Sequence, residues 1–119
     1  MTRLLFLLLA LIHAVPALAA VAPASLTRLY GVPANDSALL TLLQHRAVLF
    51  GLLAAALALA ALRPDYRWPA LLAVSVSMAS FLFIAAVRGE LSGSLRSIVV
   101  ADVAGLLIAL LASILLLRS

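Results

Sequence analysis

The stretch 97–117, SIVVADVAGLLIALLASILLL, decides the fold class of this chain. It carries a single charge, Asp102, and is closed by Arg118. At ~1.5 Å per residue it covers roughly 30 Å, the thickness of bilayer hydrocarbon. Three more apolar runs share its character, at 4–22, 39–62 and 68–87. The whole chain of 119 residues is 67% AVILMFWYC, with a mean hydropathy of +1.31. Charged residues are 10%, against roughly 25% in a soluble domain. A soluble fold has too few polar side chains here to cover its surface. We expect an all-α integral membrane four-helix bundle, one transmembrane domain over 1–119, with neighbouring helices antiparallel.

The first run admits a second reading. Arg3, an apolar core and PALAA at 16–20 resemble a secretory signal peptide cleaved after Ala19 or Ala22. We expect it to be retained, because a fourth helix is needed to bury the polar faces of the others. The second run is preceded by VPANDSALLTLLQHR. Asn35 or Asp36 is placed to cap a helix starting near Ser37, since a short side-chain acceptor satisfies free N–H groups there. That helix carries Gln44, His45 and Arg46 through its first turns and stops at Pro64. In the third run Pro69 fits the first turn, and Tyr66 and Trp68 sit where an aromatic belt is expected. Arg88 and Gly89 end it, and GELSGS forms a polar turn. The short turns 63–67 and 89–95 make the last three spans sequential neighbours. The link 23–36 is expected to be a surface loop.

Eight arginines face Asp36, Asp65, Glu90 and Asp102, for a net charge of +4. They are scattered at helix ends, which suits membrane anchoring and disfavours nucleic-acid binding. Arg63 and Arg67 in particular look like interfacial anchors. With a cytoplasmic N-terminus, Arg3, Arg63, Arg67 and Arg118 lie inside, and Arg28, Arg46, Arg88 and Arg96 outside. Arg46 and Arg96 fall within helical turns, and discounting them points to both termini being cytoplasmic.

Packing signals are weaker. Gly51, Ala55, Ala58 and Leu62 mark one face of the second span. Ala101, Gly105 and Ala109 mark one face of the fourth, at a spacing that lets helices approach closely in lipid. Each serine of the third span, Ser75, Ser77 and Ser80, has its own helix carbonyls within reach.

Arg46 and Asp102 each lie a turn or two inside a span start, at similar depth. A charge inside a span is costly, so each needs water, the interface or a partner. His13 and Ser80 come nearest that depth from the other two spans. His45 adjoins Arg46 but points about 100° away around the helix. The candidate ligand-binding residues are therefore Arg46, Asp102, Ser80, His45, His13 and Tyr30, on the side of the 23–36 link. Two readings stand together. An Arg46–Asp102 pair lines a site or passes a proton, or it only sets helix register, with Arg46 free to snorkel to headgroups. No catalytic motif, cysteine, phosphate loop or metal-ligand spacing is present in the sequence, so no reaction, cofactor or metal is assigned.

The segment 26–53, LTRLYGVPANDSALLTLLQHRAVLFGLL, resembles small bacterial four-helix membrane proteins of the DoxX-like type. The matching residues are Arg28, Leu29, Tyr30 and Gly31, then His45, Arg46, Ala47, Val48, Leu49 and Gly51. Ser80, Phe81 and RSIVVADV, with Arg96 and Asp102, extend the match along nearly the whole chain. The resemblance implies a retained first helix, a four-helix bundle and a bacterial inner membrane, and no particular substrate. The expected role is binding a lipid-soluble ligand in an intramembrane polar pocket near one leaflet. The alternative is a membrane subunit or enzyme acting on a quinone-like or lipid substrate. Expected partners are membrane lipid, and a second copy or a partner membrane subunit.

Overall fold

The computed structural model describes residues 1–22, 24–31, 33 and 35–119, with side chains for all of these except Ser25 and Leu29. Helix α1 (Thr2–Ala17) continues through a 3-10 turn over Leu18–Ala20. A short α2 (Ala24–Tyr30) follows, then α3 (Ser37–Leu62). A second 3-10 turn, Pro64–Tyr66, leads into α4 (Arg67–Val87), and α5 (Arg96–Arg118) closes the chain. Four segments are long and apolar enough to cross a membrane: Thr2–Ala20, Ser37–Leu62, Pro64–Val87 and Arg96–Arg118. Their outer faces expose Leu52, Leu72, Phe83, Leu107 and Leu110 among many others. Apolar surface on this scale marks contact with a membrane or another protein. Together with four spans of crossing length, it makes the chain a multi-pass membrane protein.

Local chemistry explains the boundaries. Asp36 caps α3, its Oδ1 accepting the Leu39 N–H at 3.1 Å. At the far end Pro64 forces Arg63 into an extended conformation, φ −123° and ψ 104°, which no helix continues. The carbonyls left free by that stop are taken by Arg67. Its Nε donates to Ala60 O at 3.0 Å and its Nη2 to Ala61 O at 3.2 Å. A cation on a helix C-terminus also meets the negative end of the helix dipole. Arg67 is thus more than an interfacial anchor: it is half-buried and locks the α3–α4 turn, with its guanidinium 5.7 Å from the Phe6 ring centroid.

The bundle is a ring in which α1 packs on α3 and α5, and α4 packs on the same two helices. One buried cluster fills its middle, with Phe6 and Leu9 from α1, Leu57 from α3, Met78 from α4 and Ala109 from α5. A second gathers at one end around Ala19, Leu26, Tyr30, Ala47 and Ile98. The link 23–36 contributes to it directly. Where a surface loop was expected, α2 buries Leu26 and Tyr30, one helical turn apart. Gly31 ends α2 with φ +67°, and a Cβ there would lie 3.0 Å from the Ser94 Cβ, so α2 is seated against the 89–95 turn.

The small-residue stripe of α5 faces inward as its spacing suggests, with Gly105 and Ala109 buried. That of α3 does not. Ala55 and Leu62 are exposed, and the buried set is Ala47, Phe50, Leu57, Ala60 and Ala61. Phe50 and Leu57 offer far more contact area to the bundle than alanines, and they set the rotation of the helix.

A Cβ at Gly105 would fall on the Met78 sulfur, whose side chain is fully enclosed. A Cβ at Gly51 would meet Ala17 Cβ at an ordinary 3.7 Å. Thermal unfolding in mild detergent should therefore separate the two glycines. Gly105→Ala should destabilise by about 1–3 kcal/mol, the range for overpacking a close contact. Gly51→Ala should be neutral or stabilising, because it also removes a glycine from a helix interior. Equal responses would show that α4 and α5 do not meet at Met78 and Gly105.

Candidate functional site

Helix α3 is 26 residues long, and at ~1.5 Å per residue it is about 39 Å, some 9 Å more than the hydrocarbon layer. Its polar residues, Ser37, Thr41, Gln44, His45 and Arg46, all fall in its first ten positions, so the surplus projects from that end. Arg46 lies nine residues in, roughly 14 Å along the helix, and so about 5 Å below the hydrocarbon boundary.

There it does not snorkel free. Arg46 Nη1 donates to Tyr30 Oη at 2.7 Å. The guanidinium carbon sits 4.6 Å from the Phe50 ring centroid, 5.2 Å from Phe81 and 5.5 Å from Tyr30. Rings on α2, α3 and α4 thus enclose one cation, and each such contact contributes about 0.5–2 kcal/mol. Burial raises the Tyr30 phenol above its ordinary pKa, opposed by the adjacent Arg46 charge and hydrogen bond. The phenol is therefore held protonated, accepting from Arg46 while its own proton is free to donate.

Asp102 faces inward from α5 and is 7% exposed. Arg46 acts on it through space, but no hydrogen bond or ion pair joins the two among the described residues. The Arg46 donor goes to Tyr30 instead. Every fully buried side-chain nitrogen or oxygen among the described residues has a partner. Asp102, which bonds no protein group among the described residues, consequently keeps its carboxyl oxygens on open space. That space is a cavity of about 220 Å³ between α1, α2, α3 and α5. Its walls include Ile12, His13, Tyr30, Phe50, Ala101 and Asp102. Val15, 60% exposed, and Ser97 mark a mouth at the seam of α1 and α5.

His13 is oriented by its own helix. Its Nδ1 lies 2.9 Å from Leu9 O, and a carbonyl only accepts, so Nδ1 carries the proton. In the neutral ring Nε2 is then an acceptor. The ring stands edge-on to Phe50, centroids 5.8 Å apart.

Ser80 lies elsewhere. It is exposed, donates to Ser77 O at 3.0 Å, and lines a second space of about 280 Å³ between α3 and α4. Arg46, Leu49, Leu53, Phe81 and Ile84 line the same groove. His45 is exposed and lines neither space. Of the six candidate residues, Asp102, His13 and Tyr30 therefore lie in the cavity, Arg46 and Ser80 in the groove, and His45 in neither. Phe50 borders both, and the Arg46–Tyr30 bond joins them.

Phe50, Phe81 and Gln44 were not singled out by the sequence reading as site or tethering residues. Phe50 lies one turn beyond Arg46, a spacing at which ring and guanidinium meet on one helix face. Gln44 Nε2 donates to Ala20 O at 2.8 Å and ties α3 to the end of α1. No cluster of three or more His, Asp or Glu side chains suited to a metal ion occurs among the described residues.

The Arg46–Tyr30 contact predicts strong non-additivity. A double-mutant cycle of Arg46→Gln and Tyr30→Phe, read by detergent unfolding, should show a coupling of about 1–3 kcal/mol, as for a hydrogen bond to a charged group. A cycle of Arg46→Gln with Ser80→Ala should be additive. In a Tyr66→Phe background the remaining phenol should ionise above the usual ~10. Stability from the neutral phenol should be present below that value and lost as pH rises through the raised pKa. Comparison with protein-family models, with curated proteins and with solved structures returns no match, so the reading of function rests on this geometry.

Proposed function

We propose that this chain is a ligand-binding protein of a bacterial inner membrane, taking the polar end of a lipid-soluble molecule into the cavity beside Asp102. The carrying observation is a carboxyl side chain 7% exposed, without a protein hydrogen-bond partner among the described residues, on the wall of a mostly apolar cavity. A buried polar group without a partner is costly, and a ligand donor relieves that cost. The size limits the ligand. At about 220 Å³ the space is below the ~300–1,000 Å³ usual for a small-molecule pocket. It suits a ring or head group, with the apolar remainder passing out between Val15 and Ser97 into lipid.

The polar lining limits it further. Asp102 and His13 Nε2 accept, and the Tyr30 hydroxyl donates. A ligand with a hydroxyl or N–H beside a carbonyl matches that set. A quinone-like ring is the second reading: in its reduced, quinol form it offers hydroxyl protons to Asp102 and His13 Nε2 and an oxygen that accepts from Tyr30. The likeness to DoxX-like proteins, carried by Arg28 to Gly31, His45, Arg46 and Asp102, is compatible with either.

The proposal includes antiparallel sequential spans and cytoplasmic termini. The Gln44 side chain on the Ala20 carbonyl and the His13 ring against Phe50 support the first for α1 and α3. The second rests on the sequence bias: with Arg46 and Arg67, both bonded within the bundle, set aside, Arg3, Arg63 and Arg118 stand against Arg28, Arg88 and Arg96, so labelling decides it.

Two measurements test this. The chain has no cysteine, so single cysteines at Thr2, Pro33, Asp65, Ser92 and Ser119 report topology cleanly. An impermeant thiol reagent on intact cells should label 33 and 92 only, and labelling of 2, 65 and 119 would reverse the orientation. For the ligand, protein extracted with its native lipids should release one enriched small molecule, identified by mass spectrometry. Ala101→Phe, which fills the cavity, should abolish that enrichment, and Asp102→Asn should reduce it about tenfold. Unchanged recovery from Ala101→Phe would remove the cavity as the site.

A further inference from the structure

The groove between α3 and α4 is separate from the cavity, and its chemistry is opposite. Its polar wall is Arg46, whose guanidinium has five N–H donors, of which one bonds to Tyr30 Oη. The others have no protein acceptor among the described residues, and no carboxylate lies at ion-pair distance. Ser80 adds no donor, because its proton goes to Ser77 O. The rings of Phe50, Phe81 and Tyr30 hold the guanidinium in place, so it is a fixed cation and not a freely snorkelling one.

Depth and shape say what meets it. Arg46 sits about 5 Å below the hydrocarbon boundary, within reach of the headgroup layer. The anions that populate that layer are phosphodiesters, and a guanidinium fork matches their oxygens in pairs. From Arg46 the groove continues along Leu49 and Leu53 of α3 and is closed on the other side by Phe81 and Ile84 of α4. Arg46 to Leu53 is seven residues, roughly 10 Å of apolar trough directed toward the bilayer centre. Its volume is about 280 Å³.

We propose that this groove binds an anionic phospholipid, with the phosphodiester on Arg46 and one acyl chain lying along Leu49 and Leu53. The assignment is independent of any ligand in the Asp102 cavity. The bound lipid completes the charge balance of Arg46, which the protein leaves open, and fills the α3–α4 seam. Through the Arg46–Tyr30 bond it also steadies α2.

The test is native mass spectrometry of the full chain in neutral detergent, titrated with phosphatidylglycerol, phosphatidylcholine or glycerol phosphate. Phosphatidylglycerol should be retained about tenfold better than phosphatidylcholine, and glycerol phosphate should not displace it. Arg46→Gln should erase that preference. Leu53→Trp, which blocks the trough without touching the cation, should weaken retention of phosphatidylglycerol by a similar factor and keeps the test decisive if Arg46→Gln folds poorly. Arg28→Gln, an exposed charge at the same end, should change nothing. Equal retention of the two lipids by the wild type would overturn the proposal. So would full displacement by glycerol phosphate, which would mean a simple anion site, or indifference to both Arg46→Gln and Leu53→Trp.

Discussion

A guanidinium enclosed just below the membrane surface is the constraint on which one whole end of this protein depends. Arginine inside a span costs about 2.5–3.5 kcal/mol on insertion scales. Here three aromatic rings and one charge-assisted hydrogen bond surround it. Contacts of those kinds contribute about 0.5–2 and 1.5–3 kcal/mol each, enough to offset the cost. The offset works only if Tyr30 is brought down onto the bundle. That requirement folds part of the 23–36 link into α2, buries Leu26 beside it, and calls for a glycine at position 31 where the chain turns away over Ser94.

Committing Arg46 to Tyr30 has a second effect. Asp102, at the same depth, feels the arginine charge without being bonded to it. Phe50 stands between the two spaces, its ring against Arg46 on one side and His13 on the other. The result is an acceptor-rich cavity toward α1 and α5 and a cationic groove toward α4. A direct Arg46–Asp102 ion pair would have closed both by neutralising them, and the bundle would then hold only a register-setting bridge.

The parts legible in the sequence were those that depend on one local signal. Four apolar runs became four helices long and apolar enough to cross a membrane, because bilayer thickness and backbone rise allow few alternatives. Asp36 as cap and Pro64 as stop follow from single-residue chemistry. What was not legible depends on rotation about a helix axis. Spacing placed Arg46, Asp102, Ser80 and His13 at one depth, but depth does not say which face meets which. Ser80 turns out toward the groove, His45 turns out altogether, and the arginine finds a phenol on a segment read as loop. Seven residues are too few for a periodic signal, so Leu26 and Tyr30 alone marked α2. In an alanine-rich α3, small-residue stripes occur on more than one face, and the larger Phe50 and Leu57 decided which one packs.

An experimental structure of the chain in a lipid bilayer disc tests the central claim most directly, that Arg46 is held by Tyr30 and leaves Asp102 facing an open cavity. The expected result is Arg46 Nη1 on Tyr30 Oη, Phe50 between Arg46 and His13, and density in the space bounded by His13, Tyr30, Ala101 and Asp102. A collapsed cavity with Arg46 bonded to Asp102 and α2 detached from the bundle would contradict it.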